Sequence, residues 1–330
     1  MTAPTEQDVA ARMDQLGRLR EAIGQAVVGQ TEVVEQLLIG LLAGGHCLIE
    51  GVPGLGKTLL VRTLGQALAL EFRRVQFTPD LMPSDILGTE VLEEDHGTGH
   101  RHFRFQPGPV FTNLLLADEL NRTPPKTQAA LLEAMQEHTV SYAGVTHDLP
   151  EPFFVLATQN PLEQAGTYPL PEAQLDRFLL NIRVDYPTLA EERAILAQTT
   201  GSTQATVPQV MQAADILALQ TWVRQVHLSE GLLGWITDLV RATRPTPEAP
   251  GAIRDYVRWG AGPRAGQSLV LASKARALLH GRLAATREDV VALAGPVLRH
   301  RILLSFAAEA ERKTPDEVVA ALLAAVPPPA

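Results

Sequence analysis

One stretch of eight residues, Gly51-Val-Pro-Gly-Leu-Gly-Lys-Thr58, constrains this 330-residue chain more than any other. It fits G-x-x-x-x-G-K-[ST], the pattern of a loop whose backbone N–H groups line a concavity suited to phosphate oxygens. The pattern carries weight only in context, and the context fits. His46-Cys-Leu-Ile-Glu50 upstream is a short apolar run that reads as a buried strand. Downstream, Leu60, Leu64 and Leu68 repeat every four residues, which predicts a helix from about Lys57 to Leu70 with one apolar face. Strand, loop and helix in that order place a positive helix N-terminus beneath the loop. The expected cradle therefore comprises Gly51, Val52, Pro53, Gly54, Leu55, Gly56, Lys57 and Thr58, with Leu59 behind it. Lys57 would reach the β- and γ-phosphates of a nucleoside triphosphate, and the Thr58 hydroxyl would ligate Mg²⁺. A bare glycine-rich turn is the alternative, and the flanking elements argue against it.

A second apolar run, Leu114-Leu-Leu-Ala-Asp-Glu119, ends in two acids and lies about 60 residues further on. It reads as a central parallel strand that delivers carboxylates to its C-terminal end, where ligands sit in open α/β sheets. Asp118 would hold Mg²⁺ together with Thr58, and Glu119 is placed to polarise an attacking water. A third run, Phe153-Phe-Val-Leu-Ala-Thr-Gln-Asn160, ends in amides. Asn160 could orient the water or sense the γ-phosphate; taken alone it could equally be the start of the Asn160-Pro161 turn.

Longer strings extend these motifs. They are Val28-Gly-Gln30, Gln76-Phe-Thr-Pro-Asp-Leu-Met-Pro-Ser-Asp85, the run from Asp118 to Glu137, Ala157-Thr-Gln-Asn-Pro161, and the run from Gly166 to Phe178. Together with the phosphate loop they make the chain resemble AAA+ ATPases of the MoxR family from about residue 10 to about residue 305. The resemblance implies an α/β core with a parallel sheet flanked by helices, followed by an all-helical lid. It implies ATP and Mg²⁺ as cofactors and a homo-oligomeric ring, a hexamer, with ATP hydrolysed at subunit interfaces. It also implies chaperone-like remodelling or maturation of protein clients, such as metal insertion, alongside a von Willebrand factor A-type partner. By resemblance, Val28, Gly29 and Gln30 contact the adenine, Asn160 falls on sensor 1, Arg177 on the arginine finger and Arg264 on sensor 2. Arginine suits the last two tasks because its planar fork matches phosphate oxygens and keeps its charge. Arg177 could instead pair with Asp176 or Glu172, and Arg264 beside Pro263 could be a surface residue. Sequence leaves open whether Arg264 serves its own nucleotide or a neighbour's, and which residue restrains Glu119 at rest, Thr78 being one candidate.

The net charge of −9 argues against a nucleic-acid surface. That weighs against a DNA-translocating motor similar to the minichromosome maintenance helicases. A subunit similar to the magnesium chelatase ATPase shares the insertions and remains an alternative, as does a slow nucleotide-timed switch. The lone cysteine, Cys47, suits a reducing compartment, and a cytoplasmic setting is expected. The N-terminus carries acids and no long apolar run, so it does not read as a secretory signal. No apolar stretch is long enough to span a bilayer.

The expected division is residues 1–186, an N-terminal helix and the nucleotide core, and residues 187–330, the helical lid with a frayed tail. Asp185-Tyr-Pro-Thr188 supplies the break. Lid helices are predicted over 189–199, 209–226, 230–243, 263–280, 286–302 and 314–325, with caps at Thr286–Asp289 and Thr314–Glu317. Residues 86–105 and 138–152 read as β-hairpins, packed between subunits or projecting to a pore or partner. His96, His100 and His102 crowd the first; a solvated tip explains them better than a metal site.

Overall fold

The computed structural model describes residues 6–52, 54–94, 101–160, 166–200 and 207–329. Its centre is a five-stranded, all-parallel sheet in the spatial order Phe72–Gln76, Leu114–Asp118, Phe154–Gln159, Cys47–Gly51, Leu180–Val184. Parallel strands need both faces covered, and the apolar runs supply side chains for both. Cys47, Ile49, Leu114, Leu116, Phe154 and Leu156 face one hydrophobic cluster. The alternating Leu48, Leu115, Ala117, Val155 and Ala157 face the other.

The first cluster joins the sheet to helices Glu6–Ala26, Thr31–Leu42 and Lys57–Ala67 and to most of the lid helices. The leucines that predicted the third of these, Leu60, Leu64 and Leu68, are all buried. The second cluster is closed by helix Pro125–Glu137 and the short helix Pro83–Leu87.

Both insertions are hairpins. Gly88–Glu94 pairs antiparallel with Arg101–Pro107, and Thr139–Tyr142 pairs with Val145–Asp148. The second turns through Ala143 and Gly144, both at positive φ, which matches the right-handed twist of the strands. The hairpins lean on each other: the Phe105 ring stacks on His147 at 4.2 Å between centroids. Residues 95–100 of the first hairpin, including His96 and His100, lie outside the described residues. His102 is exposed beside Glu93. Among the described residues no group of three or more potential metal ligands comes together.

The lid contains helices Leu189–Thr199, Ala213–Gln225, Glu230–Ala242, Pro263–Leu279, Arg287–Leu298 and Pro315–Ala325. The boundary expected at 186/187 falls between the last sheet strand and the first of these. Two helices are shorter than their patterns suggested. The second begins at Ala213 because the Val210 and Met211 N–H groups donate instead to the Ala67 carbonyl, at 2.8 and 3.2 Å. The fifth stops at Leu298 because the three residues beyond it turn towards the core. The lid is also not wholly helical: Val257–Trp259 pairs antiparallel with Leu303–Leu304. Segments this brief carry no periodicity to read. Among the described residues no helix is long and apolar enough to cross a membrane.

Candidate functional site

The phosphate loop leaves strand Cys47–Gly51 at its C-terminal end and enters helix Lys57–Ala67 through Gly56. Gly54 and Gly56 take φ of 86° and 74°, and a side chain at either would meet open space. Backbone conformation, not crowding, therefore requires glycine there. Pro53 lies outside the described residues. The Lys57 ammonium donates to the Gly51 carbonyl at 2.7 Å. Partial burial holds it below its ordinary pKa, while Asp118 and Glu119 oppose that shift. The lysine thus sits between the loop and the two acids. Thr58 lies half-buried beside it.

Asp118 ends strand Leu114–Asp118, and Glu119 follows it in a left-handed conformation with φ 57°. One hydroxyl joins the pair. Thr158 Oγ1 donates to Asp118 Oδ1 at 2.6 Å and accepts the Glu119 N–H at 2.8 Å. The edge strand Phe72–Gln76 supplies the remaining partners. Arg74 donates to Asp118 Oδ2 from Nη2 at 2.7 Å and from Nε at 3.1 Å. Its Nη2 also reaches Gln76 Oε1 at 2.7 Å. Gln76 Nε2 donates to Glu119 Oε2 at 2.7 Å, and Arg122 Nη1 reaches the same oxygen at 3.0 Å. Both acids are therefore engaged in one network from Arg74 to Arg122.

Thr78, the candidate partner for Glu119, turns elsewhere: its side chain bonds Asp80, whose carboxyl it helps to hold below the usual range. Gln76 and Arg122 hold Glu119 instead. Thr158, Arg74, Gln76 and Arg122 were not singled out from sequence. A signal existed for Thr158, two residues before Asn160 in the same strand. Another existed for Arg74 and Gln76, which alternate on a strand whose register sets Gln76 against Asp118. Asn160 is buried at the tip of strand Phe154–Gln159, on the same edge of the sheet as Asp118 and Glu119.

Beside the loop lies a cavity of about 630 Å³, lined by Val28, Gly29, Gln30, Gly54, Leu55, Gly56, Leu59, Tyr186 and helix residues from Glu191 to Thr199. That volume is within the range of small-ligand sites. Gln30 Nε2 donates to the Leu55 carbonyl at 2.8 Å and so ties this wall to the phosphate loop. Gly29, at φ 77°, lies so close to Glu191 that a Cβ would come within 2.7 Å of the carboxyl carbon.

Arg177 and Arg264 lie at the other end of the sheet. Arg177 precedes strand Leu180–Val184, whose Leu180 pairs with Cys47, the first residue of the phosphate-loop strand. Five residues of strand, about 15 Å at ~3.3 Å each, separate that level from the loop. Arg264 Nη1 is 3.9 Å from Asp176 Oδ2, beside Arg177. The alternative pairing of Arg177 with Asp176 or Glu172 is not formed; among the described residues no carboxylate lies within ion-pair distance of Arg177. Asp176 pairs with Arg301 instead, at 2.7 Å.

The residues present suit the two groups the motifs imply. The left-handed Gly54 and Gly56 face open space at the start of the Lys57 helix, room for phosphate oxygens. Carboxylate and hydroxyl oxygens are the hard donors Mg²⁺ takes when phosphates complete its shell. Parallel sheet, phosphate loop and paired acids define a phosphate-loop nucleoside triphosphatase with a helical lid.

Comparison with known proteins narrows the class. Residues 46–180 match the ATPase family associated with various cellular activities (AAA), and residues 251–322 match the AAA lid domain. Chaperone MoxR1 of Mycobacterium tuberculosis is 42% identical over 96% of this chain and 83% of its own length. Protein MoxR of Paracoccus denitrificans is 34% identical over 94% of this chain and 95% of its own. A crystal structure from Cytophaga hutchinsonii, named as an ATPase, superposes with a TM-score of 0.91 at 40% identity and covers 98% of both chains. The chain belongs to the MoxR family of AAA+ ATPases.

Proposed function

We propose that this ATPase hydrolyses ATP only where two copies of the chain meet, and uses the turnover to remodel a protein client. What carries the reading is the division of the nucleotide machinery between opposite ends of one sheet. Lys57, Thr58, Asp118, Glu119 and Asn160 gather at the C-terminal ends of the strands, around the phosphate loop. Arg177 and Arg264 lie at the N-terminal ends, too far away to touch a phosphate held by the same loop. A closed ring of six copies brings each pair of arginines to the next subunit's triphosphate. Arg264 thus acts in trans beside Arg177.

Within one site, backbone amides of the loop and the Lys57 ammonium bind the phosphates, and the adenine occupies the cavity walled by Val28, Gly29 and Gln30. Mg²⁺, held by Thr58 and Asp118, would neutralise charge on the phosphate oxygens. Glu119, once free of Gln76 and Arg122, accepts hydrogen bonding from the attacking water and removes its proton, while Asn160 fixes the water's line of approach. Arg177 and Arg264 of the adjoining copy stabilise the charge that builds on the transferred phosphoryl group.

Remodelling of a client follows from likeness to the relative named Chaperone MoxR1. A von Willebrand factor A-type adaptor, clients that mature with a metal, and a cytoplasmic setting are parts of the same proposal. The test is a mixing experiment. Arg177→Ala and Glu119→Gln subunits, each inactive alone, should together recover a substantial fraction of wild-type phosphate release. Mixtures that stay silent would remove the trans arrangement.

A further inference from the structure

The segment that carries Arg177 is gripped by the lid. Helix Arg287–Leu298 ends, and the next three residues all reach the core backbone between 176 and 181. Arg299 Nη1 donates to the Asn181 carbonyl at 3.1 Å, and His300 Nε2 meets the Phe178 carbonyl at 3.1 Å. Arg301 goes further. With 2% of its side chain exposed, it donates to the carbonyls of Asp176 at 3.2 Å, Phe178 at 2.7 Å, Leu179 at 3.3 Å and Val297 at 2.5 Å, and to Ser268 Oγ at 3.1 Å. Its Nε bonds Asp176 Oδ1 at 2.7 Å. The backbone carbonyls of Asp176 and Phe178 are thus both held by one buried guanidinium, which fixes the chain one residue before and one residue after Arg177.

Asp176 is the one carboxylate within ion-pair distance of that buried cation among the described residues. Its other oxygen, Oδ2, faces the exposed Arg264. Each oxygen therefore answers a different lid arginine, while the next residue in the chain is Arg177. A charge that satisfies Arg301 on one side and draws Arg264 on the other holds a second guanidinium beside the segment that carries Arg177.

We infer that Asp176 is a positioning residue for the trans arginines: its carboxylate, anchored by Arg301, sets Arg177 and Arg264 side by side so that both meet one phosphate of the adjoining subunit. Asp176 touches no nucleotide itself. The inference rests on the trans reading above and adds a directional consequence. Loss of the Asp176 charge disables what a subunit gives to its neighbour and leaves intact what it does with its own loop.

The test uses the full-length chain. Asp176→Asn should lower ATP turnover by at least about 30-fold, short of the ~10³-fold that loss of an arginine finger costs. Equilibrium binding of a fluorescent ATP analogue should stay within about two-fold of wild type, as expected where no ligand contact is removed. Asp176→Glu, which keeps the charge, should recover most of the activity. Mixed with Glu119→Gln, Asp176→Asn should recover turnover, because Glu119→Gln supplies sound arginines to a sound site. Mixed with Arg177→Ala it should not, because neither partner has sound arginines to supply. Asp176→Asn/Arg301→Gln removes the unpaired buried cation and should show the same directional pattern if charge loss alone unfolds the single variant. Wild-type turnover by Asp176→Asn would overturn the inference. So would silence with Glu119→Gln under conditions where Arg177→Ala and Glu119→Gln complement each other. If those last two fail to complement, the trans reading itself has fallen, and the inference with it.

Discussion

Thr158 is the residue on which both acids at the strand ends depend. Its hydroxyl donates to Asp118 and accepts from the Glu119 backbone, so from the neighbouring strand it fixes both the Asp118 carboxylate and the chain that presents Glu119. Thr158→Val keeps the shape and removes both bonds. Phosphate release should fall by about ten-fold or more, since misplaced groups lose rate steeply, while nucleotide affinity changes little. Equal losses in both would mean that Thr158 only supports the fold. Gln76 has the opposite role. Its amide holds Glu119 beside Arg122, so Gln76→Ala should raise basal turnover by roughly two- to ten-fold, the size expected when one exposed hydrogen bond worth a net ~0.5–1.5 kcal/mol is released. A fall would assign Gln76 to orienting Glu119 instead. His46 gives a pH signature. Its Nε2 meets the Met135 carbonyl and its Nδ1 takes the Val155 N–H, and burial lowers its pKa from 6.5 to about 4. Above pH 6.5 folded and unfolded chains both carry neutral imidazole. Between 6.5 and 4 only the unfolded chain binds the proton, so stability falls with pH by up to about 1.4 kcal/mol per unit. Urea unfolding at pH 7 and pH 5 should show this loss, and His46→Gln should flatten it.

At the scale of elements, the legible parts were those with a period or a cap. Leucines at four-residue spacing marked helix Lys57–Ala67, and the Thr314–Glu317 box starts helix Pro315–Ala325 with its Thr314 N–H on Glu317 at 2.7 Å. The other cap held more than its pattern disclosed. Asp289 accepts the Thr286 N–H at 2.8 Å, as a capping residue should. It also accepts from Arg282 at 2.6 and 2.8 Å and from Arg276 at 2.7 Å, with none of its side chain exposed. One acid thus caps helix Arg287–Leu298 and bolts helix Pro263–Leu279 to it. Arginines seven and thirteen residues away in sequence give no sign of that convergence. Asp289→Ala strands Arg282 and leaves Arg276 with Glu35 alone, and the loss should be on the order of 3 kcal/mol, the low end for a broken buried pair because Arg282 is partly solvated. Chemical denaturation reads this directly, and a loss below about 0.5 kcal/mol, the range of ordinary surface changes, would show that water replaces the acid.

For the whole molecule, the motifs pointed to residues that the structure gathers at one end of the sheet, because Asp118, Glu119 and Asn160 each close an apolar run that announces a strand and the phosphate loop follows another. What they left open was which end. Asn160 closes its strand and Arg177 precedes one, a difference visible only once Leu180 is seen to pair with Cys47 at the start of the loop strand. Arg301 was hidden for another reason: its string, Val297-Leu-Arg-His-Arg-Ile302, looks like the basic end of a helix, whereas folding buries it against carbonyls over a hundred residues earlier. The separation of the two ends has a consequence for concentration. A lone chain has Lys57 and the cavity, so it can bind ATP, but the arginines that would stabilise phosphoryl transfer are about 15 Å away along the strands. Binding should therefore follow an ordinary one-site isotherm at any dilution. Turnover per chain should collapse as the chain is diluted below its self-association constant, with sedimentation giving the species present at each point. The same curve should shift to higher concentration with salt if charged surfaces drive assembly. Undiminished turnover by material that sediments as a monomer would show that Arg177 and Arg264 are dispensable to the chemistry and that one chain carries the whole site.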